Sequence, residues 1–157
     1  MTQTMRRLHA LGVELPEPWR LPDGVRRTFE IVRLHDGIGY VAGHGPVSGT
    51  EVLMRGRVGD DLTAEDGYES AKLTALAITA SLERAVGMLD SIRWLRATVY
   101  VNGVPELGGP ELTRVADGFS DVINDIFGER GQHARATCAV GALAFGVPTI
   151  IESVVAV

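Results

Sequence analysis

An α+β fold, one sheet with two helices packed on one of its faces, follows from three features of the sequence. Two long segments, 63–89 and 112–126, repeat apolar residues at three- and four-residue spacing, the period of a helix with one buried stripe. Shorter runs between and around them are rich in Val, Ile and Tyr and are bounded by Gly, Pro and Asp, the signature of strands. The two kinds alternate as β-β-(β)-α-β-α-β-β with no repeat and no internal linker. That order suits a single sheet, so residues 1–157 are expected to form one domain, with 1–24 as its N-terminal arm.

The elements follow in order. TMRRLHALG, residues 4–12, makes a short helix ending at Gly12, and the connector ELPEPWRLPDG is held extended by Pro16, Pro18 and Pro22. FEIVRL and IGYVAG read as two strands joined through His35-Asp36-Gly37, a hairpin signal. EVLMRGRVG is a short strand or loop broken by glycine. TAED at Thr63 caps a helix whose stripe is Tyr68, Ala71, Ala75, Ile78, Leu82, Ala85 and Leu89, with Gly87 near its end. IRWLRATVYVN, residues 92–102, is a strand. Leu112, Val115, Phe119, Val122, Ile123 and Ile126 mark a second helix stopped by Gly128. The remaining stretch reads as an apolar β-hairpin bent at Ala144-Phe145-Gly146. Strands as apolar as 136–143 and 148–157 rarely face water, so a second copy of the chain is expected to cover the free face.

Composition narrows the function. Fifteen basic residues against twenty acidic ones give a net charge of −5, which offers no general attraction for nucleic acid. Cys138 is the sole cysteine, so no internal disulfide forms and a reducing, cytoplasmic setting is expected. In an apolar run this thiol reads as packing. The N-terminal stretch has neither the apolar core nor the cleavage site of a signal peptide. The apolar C-terminus is too short for a membrane helix and is broken by Gly141, Gly146 and Pro148.

One pattern bears on chemistry. Arg135 opens the final ribbon and Glu152 stands near its end, with sixteen uncharged residues, Ala136 to Ile151, between them. A buried arginine keeps its charge and needs a partner. With the bend near 144–145, the two residues fall almost opposite one another in an antiparallel hairpin, so a cross-strand ion pair is one reading. The other has the guanidinium projecting into a pocket to take a carboxylate bidentately, while Glu152 holds a water or moves a proton.

The chain resembles the RidA family, also called YjgF or L-PSP, in its longer branch. The likeness rests on LHALGVELPEP, YVAGHGPV, GRVGDDLTAEDGYESAKLTALAITASL, GFSDVINDIFGERGQHAR and GVPTIIESVVAV, above all on FGERGQHARA followed by a glutamate in the last strand. This resemblance implies a chorismate-mutase-like (bacillus type) fold assembling as a trimer, with a small-molecule pocket at each subunit interface. It implies hydrolysis of reactive enamines and imines to a 2-keto acid and ammonia, with no metal and no organic cofactor. Arg135 stands where the family grips the substrate carboxylate, and Glu152 where it positions the attacking water. Gly43 and the strand around Thr137 would supply backbone groups. The polar wall departs from the family pattern: Ala42-Gly43-His44 replaces a frequent Ser-Gly-Gln, and Phe29 stands nearest to an expected tyrosine. A histidine beside a turn, such as His44, is itself expected at the surface. The pocket therefore suits a larger or less polar substrate.

Three functions compete. The first is an imine deaminase using Arg135 and Glu152. The second is a non-catalytic trimeric binder of a small carboxylate metabolite, favoured by loss of the serine position. A ribonuclease is third, disfavoured by the acidic balance. No nucleic-acid or membrane partner is expected.

Overall fold

A computed structural model describes residues 1–157. The N-terminal arm holds helix α1 (Gln3–Ala10), and Gly12 ends its turn with φ +64°. Strands β1 (Val32–His35) and β2 (Ile38–His44) form the expected hairpin. Asp36 (φ 46°) and Gly37 (φ 75°) make its turn, the left-handed pair that suits the twist of two strands. Two-residue strands β3 (Val47–Ser48) and β4 (Glu51–Val52) form a separate small ribbon. Helix α2 (Ala64–Val86), strand β5 (Arg93–Asn102), helix α3 (Gly109–Phe127), strand β6 (Ala134–Val140) and strand β7 (Thr149–Ala156) complete the fold. Phe29–Ile31, read as strand, lie before β1, although Ile31 still accepts a backbone hydrogen bond from Ala42.

The five-stranded sheet has the order β1-β2-β7-β5-β6. This overturns the C-terminal hairpin. Strand β7 lies between β2 and β5, antiparallel to both, while β6 runs parallel to β5 at the edge. The physical reason is the connection: α3 packs on the sheet and carries the chain back to start β6 beside β5 in the same direction. The bend at 144–146 exists, but it serves a loop passing from the edge strand to a central slot. The slot goes to the β-branched TIIESVVA, whose backbone is satisfied on both sides. The edge goes to the small-residue ARATCAV, whose residues are exposed or half-buried.

Helices cover one face. The Thr63–Asp66 capping box starts α2 and Gly87 (φ 78°) closes it, as the residues predict. Ala71, Ala75, Ile78 and Leu82 join Phe119, Ile123 and Ile126 of α3 and Trp94, Val99 and Ile151 of the sheet in one core. Short α1 is the third helix on this side, its Leu8 also in the core. Between α2 and the sheet runs a buried polar seam that the apolar stripe does not foretell. Ser70 and Thr74 lie 2.7 and 3.1 Å from the hydroxyl of Thr149. The other sheet face has no cover within the chain. Its rows, read from the register, carry Arg33, Tyr40, Arg96 and Val154, then Thr98, Ala136 and Glu152, then Tyr100, Cys138 and Ile150. Charged groups thus interrupt a face expected to be apolar, and Cys138 is exposed rather than packed.

Candidate functional site

Arg135 sits on β6 in the row of Ala97 and Ser153, which faces the helices. Its side chain, 21% exposed, turns toward α3, where Nη1 donates to Asp117 Oδ1 at 3.1 Å and to Ser120 Oγ at 2.9 Å. Asp117 and Ser120 are one helical turn apart, so a single helix face presents both. His133, two residues before Arg135, completes the arrangement. Its Nδ1 lies 2.6 Å from the carbonyl oxygen of Gly131 and its Nε2 lies 3.0 Å from Ser120 Oγ. A carbonyl only accepts, so Nδ1 carries the proton and Nε2 is a bare acceptor. Ser120 donates its one hydrogen to His133, which leaves its oxygen free to accept from Arg135. Burial, with Arg135 adding repulsion, holds the His133 pKa below its ordinary value, against the opposing bond to Gly131. His133 is thus neutral at pH 7. Nε and Nη2 of Arg135 take no protein partner, and the residue lines a polar cleft of about 450 Å³ together with Ser120, Asn124, Gln132 and His133. Thr137 follows on the same side of β6, half-buried.

Glu152 is elsewhere. It occupies the row of Thr98 and Ala136 on the uncovered face, and the Tyr100 hydroxyl donates to its Oε1 at 3.2 Å. Desolvation first, and this bond to a carboxylate second, raise the Tyr100 pKa. Two strand spacings, roughly 10 Å, and the thickness of the sheet separate Glu152 from Arg135. The cross-strand ion pair therefore does not form. Its register argument fails because β5 lies between the two strands.

The wall residues gather at a third place. Between Val41 and His44 the β2–β7 register slips: three steps on β2 match two on β7, so β2 carries one extra residue. This bulge pushes Ala42 and Gly43 out opposite Glu152 and swings His44 to the helix side. His44 is wholly buried, with Nδ1 2.6 Å from the Ala42 carbonyl and Nε2 2.9 Å from Ser81 Oγ. Burial lowers its pKa to about 4, with Arg84 contributing in the same direction. It is neither a surface residue nor open to a ligand. Gly43 and Phe29 line an apolar cleft of about 420 Å³ that also includes Trp19, Phe145 and Ile150. A Cβ at Gly43 would lie 2.8 Å from Ile150 Cγ2, so the cleft's shape depends on the missing side chain.

Within one chain, then, Arg135 and Thr137 stand together on the helix side, Glu152 stands on the free face, and Gly43 and Phe29 share a separate cleft. Sequence reasoning missed Asp117, Ser120 and His133. Asp117, Ser120 and Asn124 do recur at helical spacing on the polar side of α3, but which strand borders that side is a tertiary fact.

Known proteins share this architecture. The family model described as "YjgF/chorismate_mutase-like, putative endoribonuclease" matches residues 5–147. Protein TCP17 of Trypanosoma cruzi is 34% identical over 118 residues, 74% of this chain and 72% of that protein. The crystal structure of Atu1372 from Agrobacterium tumefaciens, a protein of unknown function, superposes with a TM-score of 0.88 at 28% identity. It covers 99% of this chain and 92% of its own. E. coli TdcF with bound serine has the same fold at a TM-score of 0.61 and 14% identity, covering 92% of this chain and 98% of its own. No helix of the chain is long and apolar enough to cross a membrane.

Proposed function

The chain belongs to the YjgF/chorismate-mutase-like family, and from that premise we propose that it hydrolyses a small reactive 2-imino or enamine acid to a 2-keto acid and ammonia. The observation that carries this reading is the state of Arg135. Asp117 and Ser120 fix the guanidinium through one nitrogen, its remaining N–H groups have no protein partner, and the residue lines a polar cleft. A substrate carboxylate binds there without first ordering the side chain, which lowers the entropic cost of capture. The imine carbon is already electrophilic. Water adds to it, the C–O bond forms as the C=N π electrons move to nitrogen, and loss of ammonia from the carbinolamine leaves the ketone. No metal or organic cofactor is invoked.

Because Arg135 and Glu152 face opposite sides of one sheet, this chemistry requires two copies. In a trimer, Arg135 and Thr137 of one protomer would meet Glu152, Ala42, Gly43 and Phe29 of its neighbour, and Glu152 would position the water. The lone cysteine fits a reducing, cytoplasmic setting.

The test generates 2-iminopropionate in situ and follows pyruvate and ammonia. Wild-type protein is expected to accelerate the conversion and Arg135→Ala to abolish the acceleration. The second reading, a non-catalytic carboxylate binder, draws on a specific observation: Asp117 already neutralises Arg135, and no carboxylate base stands near the free side of the guanidinium within the chain. TdcF, the fold neighbour with bound serine, fits either reading. Thermal stabilisation by small carboxylates without turnover would select the binder. A ribonuclease, the activity in the family's description, is not favoured for a chain of net charge −5.

A further inference from the structure

The cleft at Arg135 is lined otherwise by Ser120, Asn124, Gln132 and His133, with no apolar side chain among them. The anion at the guanidinium is Asp117, 3.1 Å from Nη1, so the cluster is electrically balanced before any ligand arrives. No second cation faces it. Arg130 is the nearest arginine in the chain, but its Nη1 donates to the carbonyls of Leu89, Asp90 and Ile92 and its Nη2 to Thr4 of α1. A plain carboxylate on Arg135 would therefore leave one uncompensated negative charge beside a side chain only 21% exposed. Such a charge costs free energy unless a proton or a cation arrives with it.

His133 is placed to take that proton. Its Nδ1–H is held by the Gly131 carbonyl, and Gly131 is seated where a side chain would collide with α3: a Cβ there would lie 2.5 Å from the Ile123 carbonyl oxygen. The ring packs edge-on against Phe119, with centroids 5.3 Å apart at 80°. Nε2 is left as the basic atom, and it meets Ser120 Oγ, the oxygen that accepts from Arg135. One hydroxyl thus separates the basic nitrogen from the guanidinium. Arg135 faces His133 from β6, Ser120 and behind it Asp117 from α3, the uncharged Trp94 from β5, and the Gly131 carbonyl from the turn before β6. Burial first, and repulsion by Arg135 second, hold the free ring neutral. A carboxylate on Arg135 cancels that repulsion. On protonation Nε2–H donates to Ser120, whose second lone pair still accepts from Arg135.

We infer that His133 is the charge-balancing residue of this site: it takes up a proton when Arg135 binds an anion and stays neutral when the ligand brings its own cation. At neutral pH the site then prefers a zwitterion, a carboxylate beside a protonated nitrogen, over a plain carboxylate. This rests on the reading that Arg135 holds the substrate carboxylate, and it narrows the substrate to the protonated imine. C=NH2+ beside COO− is neutral overall. Water replaces the nitrogen, which leaves as ammonium, and the 2-keto acid that remains is a bare anion. The product is thus the weaker ligand, and its release is favoured while His133 is neutral. Because the anion-bound state holds the extra proton, anion affinity rises as pH falls.

Titrations of the full chain with pyruvate and with L-alanine between pH 8 and pH 6, read by NMR at the His133 ring, test this. The ring signal is assigned by its absence from His133→Gln. Pyruvate is expected to raise the His133 pKa and to bind about fivefold or more tighter at the acid end, the low end of coupling between two sites. Alanine should do neither, and at pH 8 it should be the tighter ligand. In His133→Gln, whose amide oxygen can accept from Ser120, pyruvate affinity should lose its pH dependence. Binding of both ligands with an unmoved His133 titration, or a pH dependence that persists in His133→Gln, overturns the inference and leaves the reading of Arg135 intact. No binding of either ligand, or binding unchanged by Arg135→Gln, overturns both.

Discussion

His44 illustrates how one backbone irregularity resets a residue's chemistry. The bulge in β2 puts it into the core, where the Ala42 carbonyl and Ser81 hydroxyl satisfy the neutral ring and burial lowers its pKa to about 4. The unfolded value is 6.5, so between these limits the unfolded chain binds more protons than the folded one. Stability is therefore complete above pH 6.5 and falls as pH drops toward 4, by about 3 kcal/mol in all. Chemical denaturation across that window should show the slope, and His44→Gln should flatten it. An unchanged slope would mean that His44 stays open to water. The cluster at Arg135 teaches a related lesson. Arg135 stands out in the sequence because sixteen uncharged residues follow it. The partners that set its orientation, Asp117, Ser120 and His133, are ordinary polar residues with no such contrast.

Among the elements, the α2–α3 contact is the tightest. A methyl group at Gly118 would collide with the Tyr68 carbonyl oxygen of α2, and one at Gly67 would lie 2.6 Å from Val115 Cγ2. Helical backbones cannot yield locally, so Gly118→Ala is expected to lower stability by about 1–3 kcal/mol despite its gain in helix propensity. A thermal melt decides it: an unchanged or higher midpoint would show that the helices can separate. Capping, by contrast, was readable residue by residue. Thr63, Asp66 and Gly87 act within one turn of chain, where sequence distance and spatial distance are the same. Strand pairing is not local in that way. The composition of the C-terminal runs marks them as strands, but their partners depend on where α3 returns the chain.

At the scale of the whole molecule, the sheet separates the two charges on which the proposed reaction depends. If neighbouring protomers reunite them, Arg135→Ala and Glu152→Ala should each be inactive alone yet complement one another. Co-refolded in equal amounts, they should regain about a quarter of wild-type activity, the share of interfaces at which both contributors are intact in random closed assemblies. No recovery would place both groups' work within one chain, or remove one from the chemistry. The uncovered face fits such an assembly, for Tyr40, Val154 and Tyr100 lie beside Arg33, Arg96 and Glu152, a mixture suited to a complementary surface.

Element types, their caps and turns, the α+β class and the family are all legible in the linear chain. These rest on periodicity, on left-handed residues such as Gly37 and Gly87, and on the order of motifs, all properties of short spans or of the chain read linearly. The linear chain also singles out Arg135 and Glu152. Three features are set by packing in three dimensions: β7 enters the sheet between β2 and β5, a bulge buries His44, and Arg135 joins Ser120 and His133 instead of Glu152. The reason is physical: side-chain direction alternates along a strand, so one intervening strand or one extra residue changes which face, and therefore which neighbours, a residue has.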